Sequence, residues 1–271
     1  MKKELIVQRN PKSPIAEMFR TLRTNIQFMN SKKELKTILV TSTMPGEGKS
    51  WVSANLAITF AQSGKRVCIV DADMRKGRMA NLFQTDLVPG LSNYLSGLDN
   101  QGKDDELDII KHIKATEIDN LFLIPAGNVP PNPAELLGTE TTVKMLDKLK
   151  EIFDVIILDG TPAMLVTDAL ILSRIADTTI LVASHKSTKK DDLEKIKRSI
   201  ENVGGRIAGV VLNRKPGKAK EYSTSYYYGS TNSKNRHGKV EKEDLSMESS
   251  LSAEKQEEIL SQLNGYLNNK D

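Results

Sequence analysis

Six short runs rich in Val, Ile and Leu punctuate the chain: TILVTS, RVCIVDAD, NLFLIPAG, FDVIILDG, TTILVAS and AGVVLNR, with helix-length amphipathic stretches between most of them. This alternation predicts an α/β fold with a doubly wound, mostly parallel sheet. Apolar character is continuous within each run, which predicts strands covered by helices on both faces. Functional residues in such sheets gather at the carboxyl ends of the strands. Ahead of the first run, SPIAEMFRTLRTNIQFM spaces Ile15, Met18, Phe19, Leu22, Ile26 and Met29 as an amphipathic helix would, with Glu17, Arg20 and Arg23 among them. Another helix is expected from Pro133, where ELL follows the turn GNVPPNP.

After Asn213 the pattern gives way to polar, basic and small residues. The chain thus divides into an amphipathic N-terminal region (1–35), an α/β domain (36–213), a tyrosine-rich segment (214–230) and a polar tail (231–271). Most of the tail is too polar to build a core and reads as disordered. Its end differs: Ile259, Leu260, Leu263, Tyr266 and Leu267 share a face if residues 253–267 are helical, which suits either a docking face or a solvated end.

With 271 residues and 38% hydrophobic content, the chain is long enough for one sizeable domain. Its single cysteine, Cys68, lies within VCIV and reads as a core residue of a protein from a reducing compartment. A net charge of +4, dispersed along the chain, argues against nucleic acid as a partner. No stretch resembles a signal peptide or a spanning helix, so a soluble, cytoplasmic protein is expected.

The chemistry begins at residues 38–50, ILVTSTMPGEGKS, where an apolar run meets a glycine-containing turn that ends in Lys49 and Ser50. This is the layout of a phosphate-binding P-loop opening a helix, here VSANLAITFAQ. Beside Pro45, backbone N–H groups around Gly46, Glu47 and Gly48 can point at phosphate oxygens, and Lys49 can reach the β- and γ-phosphates. Ser50 can ligand Mg²⁺. The strict pattern wants glycine where this chain has Thr43, so the loop is a deviant form.

Three carboxylates belong to the same edge. The second run ends in Asp71-Ala72-Asp73-Met74-Arg75 and the FDVIIL run ends in Asp159-Gly160-Thr161-Pro162. Each acid alone suits a helix cap; together beside a P-loop they point to metal support and proton transfer, with Asp159 on Mg²⁺ and one of Asp71 and Asp73 left for proton chemistry. Arg75 suits either phosphate or bracing of the acids.

TSTMPGEGKS, VCIVDADMR and VIILDGTP resemble the Walker A, Walker A′ and Walker B motifs of bacterial tyrosine kinases of capsular and exopolysaccharide synthesis, and EMFRTLR, AGNVPPNPAELL, GVVLNR and EYSTSYYYG extend the resemblance over roughly residues 10–229. The resemblance implies a P-loop NTPase fold of the partitioning-ATPase type and an ATP:protein-tyrosine phosphotransferase. It implies ATP at Lys49, Ser50 and Trp51, Mg²⁺ supported by Ser50, Asp71 and Asp159, Asp73 activating the tyrosine, and Asn213 near the adenine. Glu17, Arg20 and Arg23, an E-x-x-R-x-x-R motif, would join subunits into a ring such as an octamer; the residues alone favour an ordinary charged helix face.

The phosphoacceptors would be Tyr222, Tyr226, Tyr227 and Tyr228, four of the six tyrosines. The resemblance further implies recruitment to the inner face of the membrane by the cytosolic segment of an activator related to polysaccharide chain-length regulators, and a cognate tyrosine phosphatase. Two rivals stand beside this reading: a partitioning or division-site ATPase switch, and a nucleotide-dependent adaptor of a polysaccharide-export membrane protein. Those ATPases carry a lysine early in the loop, where this chain has Thr43 and Met44.

Overall fold

The computed structural model describes residues 3–29, 35–97 and 109–216, together with Ser261. The tyrosine cluster, Tyr266 and all of the 231–271 tail except Ser261 lie outside the described residues. Among the described residues the order is α1 (Ile6–Arg9), α2 (Pro14–Phe28), β1 (Thr37–Ser42), α3 (Lys49–Ala61), β2 (Val67–Asp71), α4 (Met79–Phe83) and α5 (Leu91–Ser96). A 3-10 turn (Ile109–His112), β3 (Lys114–Ala115), β4 (Leu121–Ile124), α6 (Pro133–Leu137) and α7 (Glu140–Ile152) follow. The chain continues through β5 (Val155–Pro162), α8 (Asp168–Ile175), β6 (Thr178–Ser184), α9 (Lys190–Asn202) and β7 (Ile207–Asn213).

All six predicted strands form, in a seven-stranded sheet of order β3-β4-β2-β5-β1-β6-β7. The seventh strand, β3, is two residues long and its pairing with β4 is antiparallel, whereas every other pairing is parallel. Successive residues point to opposite faces of the sheet. Ile38, Val40, Val67, Ile69, Val155 and Ile157 therefore pack under α1, α2 and α3 in one cluster. Leu39, Cys68, Val70, Ile156 and Leu158 pack on the other face with Leu91, Met145, Leu149 and Leu172. Burial on both faces explains why the runs read as unbroken Val/Ile/Leu. From β1 the chain crosses to one side for β2 and β4, then returns through β5 to β6 and β7. The crevice at the carboxyl end of β1 is consequently the place for a ligand.

Helix α2 starts at Ser13, whose side chain accepts from the Ala16 N–H, with Pro14 in the first turn, where its missing N–H costs nothing. Its apolar stripe is divided. Phe19 and Ile26 are buried and Leu22 is partly buried against the core, while Ile15, Met18 and Met29 remain exposed. The Phe19 ring meets Trp51 of α3 edge-on, with centroids 5.1 Å apart.

Candidate active site

Strand register brings the acids together before any side chain is considered. Asp71 on β2 is level with Asp159 on β5, and Asp159 is level with Val40 of β1, two residues short of the end of that strand. The carboxylates thus project from adjacent strands about 4.8 Å apart. Strand β5 also runs on past Asp159 to Pro162, pairing with Ser42 across a register shift. Residues 160–162, in which the run was expected to end, thus keep a β1 neighbour.

The loop between β1 and α3 follows the predicted layout. Gly46 and Gly48 adopt positive φ of 80° and 101°, a region open to glycine and strained for other residues. Gly48 caps α3, and among the described residues no side-chain cap meets its first N–H groups. They stand free as anion donors at the positive end of a 13-residue helix.

Lys49 lies between the acids. Its Nζ donates to Asp73 Oδ2 at 2.8 Å, approaches Asp159 Oδ2 at 3.9 Å and lies 3.4 Å from Ser50 Oγ. Burial alone would lower the Lys49 pKa, but the fields of Asp159, Asp73 and Asp71 and the bond to Asp73 outweigh it and raise the ammonium above its ordinary value. Asp73 Oδ1 accepts from the Lys76 N–H, and Asp71 Oδ2 accepts from the N–H groups of Arg78 and Met79 at the start of α4. Burial, then Asp159, pushes the Asp71 carboxyl up from an ordinary 3.8 to about 7. Burial raises Asp159 as well, with Lys49, Ser50 and Ser53 pulling it back.

Asp71 Oδ1 and Asp159 Oδ2 are buried without a hydrogen-bond partner among the described residues. Orphaned carboxylate oxygens with raised pKa beside a serine hydroxyl fit a hard cation. Among the described residues no three His, Cys, Asp or Glu side chains cluster as a cage. An ion here would hence take most of its ligands from phosphate and water, as Mg²⁺ does.

Over this cluster opens a cavity of about 580 Å³, lined by Pro45, Gly46, Gly48, Lys49, Ser50, Trp51, Asp73, Arg75 and Asn213, among others. Its size suits a nucleotide. Asp71 and Asp159 lie beneath the lining, fully buried. Arg75 lines the cavity and forks onto Asp168 at the start of α8, at 3.0 and 3.1 Å, rather than onto Asp71, Asp73 or Asp159. Asn213 Nδ2 donates to the Glu47 carbonyl at 2.9 Å, against the loop backbone.

Three site residues, Ser53, Asp168 and Thr188, and the direction of the Glu47 side chain were not anticipated from the sequence. Ser53 Oγ lies 2.9 Å from Asp159 Oδ1; its place one turn after Ser50 was the available signal. Asp168, Thr188 and the inward-facing side chain of Glu47 had no local signal, because their partners are remote in sequence. The E-x-x-R-x-x-R residues are divided: Arg20 pairs with Glu17 at 2.8 Å on the surface. Arg23 instead donates to the Thr59 carbonyl of α3.

Residues 38–228 match the CobQ/CobB/MinD/ParA nucleotide binding domain. The chain is 38% identical over 221 residues to tyrosine-protein kinase CpsD of Streptococcus agalactiae, covering 81% of this chain and 92% of that protein. It is 34% identical over 229 residues to tyrosine-protein kinase YwqD of Bacillus subtilis, covering 84% and 92%. Tyrosine-protein kinase wzc of Salmonella typhimurium is 35% identical over 225 residues, which are 83% of this chain and 30% of that longer protein. The kinase domain of Escherichia coli tyrosine kinase ETK superposes with a TM-score of 0.73 at 33% identity, covering 83% of this chain and 84% of that one. The Pyrococcus furiosus cell division ATPase MinD superposes less closely, with a TM-score of 0.56 at 27% identity and coverage of 66% and 72%. The motifs, the sheet order and these likenesses agree: the chain belongs to the bacterial tyrosine-protein kinases, built on a P-loop nucleotide-binding domain.

Proposed function

We propose that the chain is an ATP-dependent autokinase that phosphorylates its own cluster Tyr222, Tyr226, Tyr227 and Tyr228, between subunits of a ring, and so regulates capsule or exopolysaccharide synthesis and export. The observation that carries this reading is the 2.8 Å pair of Lys49 and Asp73 on the wall of a nucleotide-sized cavity. A cation for the transferring phosphoryl group and a carboxylate for the hydroxyl proton stand side by side there. Phosphoryl transfer needs chiefly such positioning and charge neutralisation.

When ATP arrives, Lys49 exchanges part of its bond to Asp73 for the β- and γ-phosphates, and the freed oxygen of Asp73 accepts the tyrosine proton. The tyrosine oxygen bonds to the γ-phosphorus, the bond from that phosphorus to the β–γ bridging oxygen breaks, and ADP leaves with the bond's electron pair. The N–H groups at the start of α3 hold the phosphates in line. Mg²⁺ would be held by Ser50 with Asp71 and Asp159 behind it, supplying charge neutralisation at the β- and γ-oxygens.

Incubation with Mg-ATP followed by intact mass and peptide mapping tests the reading. Phosphate on residues 222–228 is expected; ADP release without it would favour the ATPase switch, and neither would favour an adaptor. Recruitment to the inner membrane face by the cytosolic segment of a membrane activator belongs to the same proposal. It is supported by wzc, where the matching region is only 30% of a longer protein. Adding such a segment should raise autophosphorylation; full activity without it would remove the activator from the scheme.

A further inference from the structure

Glu47 sits inside the phosphate loop and is almost fully buried, and unlike its neighbours Gly46 and Gly48 it does not line the cavity. Its Oε2 accepts from the Thr43 N–H at 2.8 Å and the Met44 N–H at 3.0 Å, and the Thr43 hydroxyl lies 2.8 Å from both of its oxygens. A further donor comes from far along the chain: the Thr188 hydroxyl, in the segment after β6, donates to Glu47 Oε1. Thr188 Oγ1 in turn accepts from the Ser184 N–H at 2.8 Å. The Glu47 carbonyl is held as well, by Asn213 from the end of β7, and the Asn213 carbonyl accepts from the His185 N–H at 2.8 Å.

A buried carboxylate is stable only when several donors satisfy it, and bonds to a charged acceptor are the stronger kind. This one ties the early limb of the loop to its later half, leaving the N–H groups from Gly46 onward for phosphate. It also accounts for Thr43: where the strict pattern has glycine, this chain has a hydroxyl on Glu47. We propose that Glu47 and Thr188 are positioning residues that preform the phosphate loop, so that the segment 184–188 sets nucleotide affinity without touching the nucleotide. The inference rests on the nucleotide reading of the cavity and adds a control point to it. Because coupling is reciprocal, nucleotide should steady the 184–188 segment as much as that segment steadies nucleotide.

Calorimetric titration of the full chain with MgADP tests this, beside wild type, Thr188→Val, Thr188→Ser and Glu47→Gln. Thr188→Val should weaken binding about tenfold, as expected for a lost bond to a buried charge, and Thr188→Ser should return to within about twofold of wild type. Glu47→Gln, which turns an amide donor toward these donors, should weaken binding in the same direction. Hydrogen exchange at residues 185–189 should slow on MgADP addition in wild type and much less in Glu47→Gln. Wild-type affinity in Thr188→Val, or a serine variant as weak as the valine one, would overturn the inference while leaving the nucleotide reading intact. Failure of wild type to bind MgADP would overturn the nucleotide reading itself.

Discussion

Lys49 faces both Asp73 and Asp159, so its removal should act on charge and geometry together. Lys49→Met is expected to reduce autophosphorylation by about 10²–10³-fold, the scale of losing one preorganised electrostatic group at a transferring centre; activity within tenfold of wild type would assign the role elsewhere. Asp71 makes a pH prediction. Its pKa in the fold is about 7 against an ordinary 3.8, so between those values the folded state binds the proton that the unfolded chain has released. Its contribution to stability is therefore fully present below pH ~4 and lost as pH rises to ~7. Asp71→Asn should flatten that fall in melting temperature in metal-free, nucleotide-free protein; an unchanged slope would contradict it. Lys49, Ser50, Asp71, Asp73 and Asp159 were legible in the sequence because each ends or follows an apolar run, and a parallel sheet brings run ends to one edge. The inward turn of Glu47, its bond to Thr188 and the Arg75–Asp168 fork depend on how distant loops meet, which spacing does not encode.

Helix α2 shows how much an apolar pattern conveys about an element and where it stops. Periodicity located the helix, yet its stripe is wider than the face that packs: Phe19 is 5% exposed while Met18 beside it is 45% exposed. Phe19→Ala should cost about 3–5 kcal/mol, by transfer and cavity terms, whereas Met18→Ala should stay within ~0.5 kcal/mol in a monomer. Urea unfolding of both variants under monomeric conditions checks the contrast; equal losses would mean that α2 packs through its whole stripe. The long strands were legible for the same reason as the site, since burial on both faces writes unbroken Val/Ile/Leu. Strand β3 was not, because two residues, one of them Lys114, carry no period. The five-residue α4 was equally hidden, being shorter than the two turns over which a helical period can be read.

At the scale of the whole molecule, assembly into a ring remains part of the proposal, and the structure sharpens how to test it. Arg23 bonds α3 inside its own protomer, so changing it would confound assembly with folding. Arg20 and Glu17 lie on the surface beside exposed Ile15 and Met18, a mixed polar and apolar patch of the kind that subunits share. Arg20→Ala is expected to lower the mass seen by light scattering to that of a monomer, with melting temperature little changed; an unaltered mass would remove this face from the interface.

Phosphate loops are often treated as portable sequence words that can be moved between scaffolds. Here the contacts argue otherwise. The loop is clasped by Thr188 and Asn213, 141 and 166 positions beyond Glu47. A β-carbon at Gly48 would come within 2.0 Å of the Asn213 amide nitrogen, so positions 48 and 213 are not free to vary separately. A transplanted TMPGEGKS would keep the Thr43 and Met44 donors but arrive with a carboxylate short of Thr188 and a Glu47 carbonyl without Asn213. The smallest unit that can be grafted is not the loop but the loop together with the far edge of the sheet.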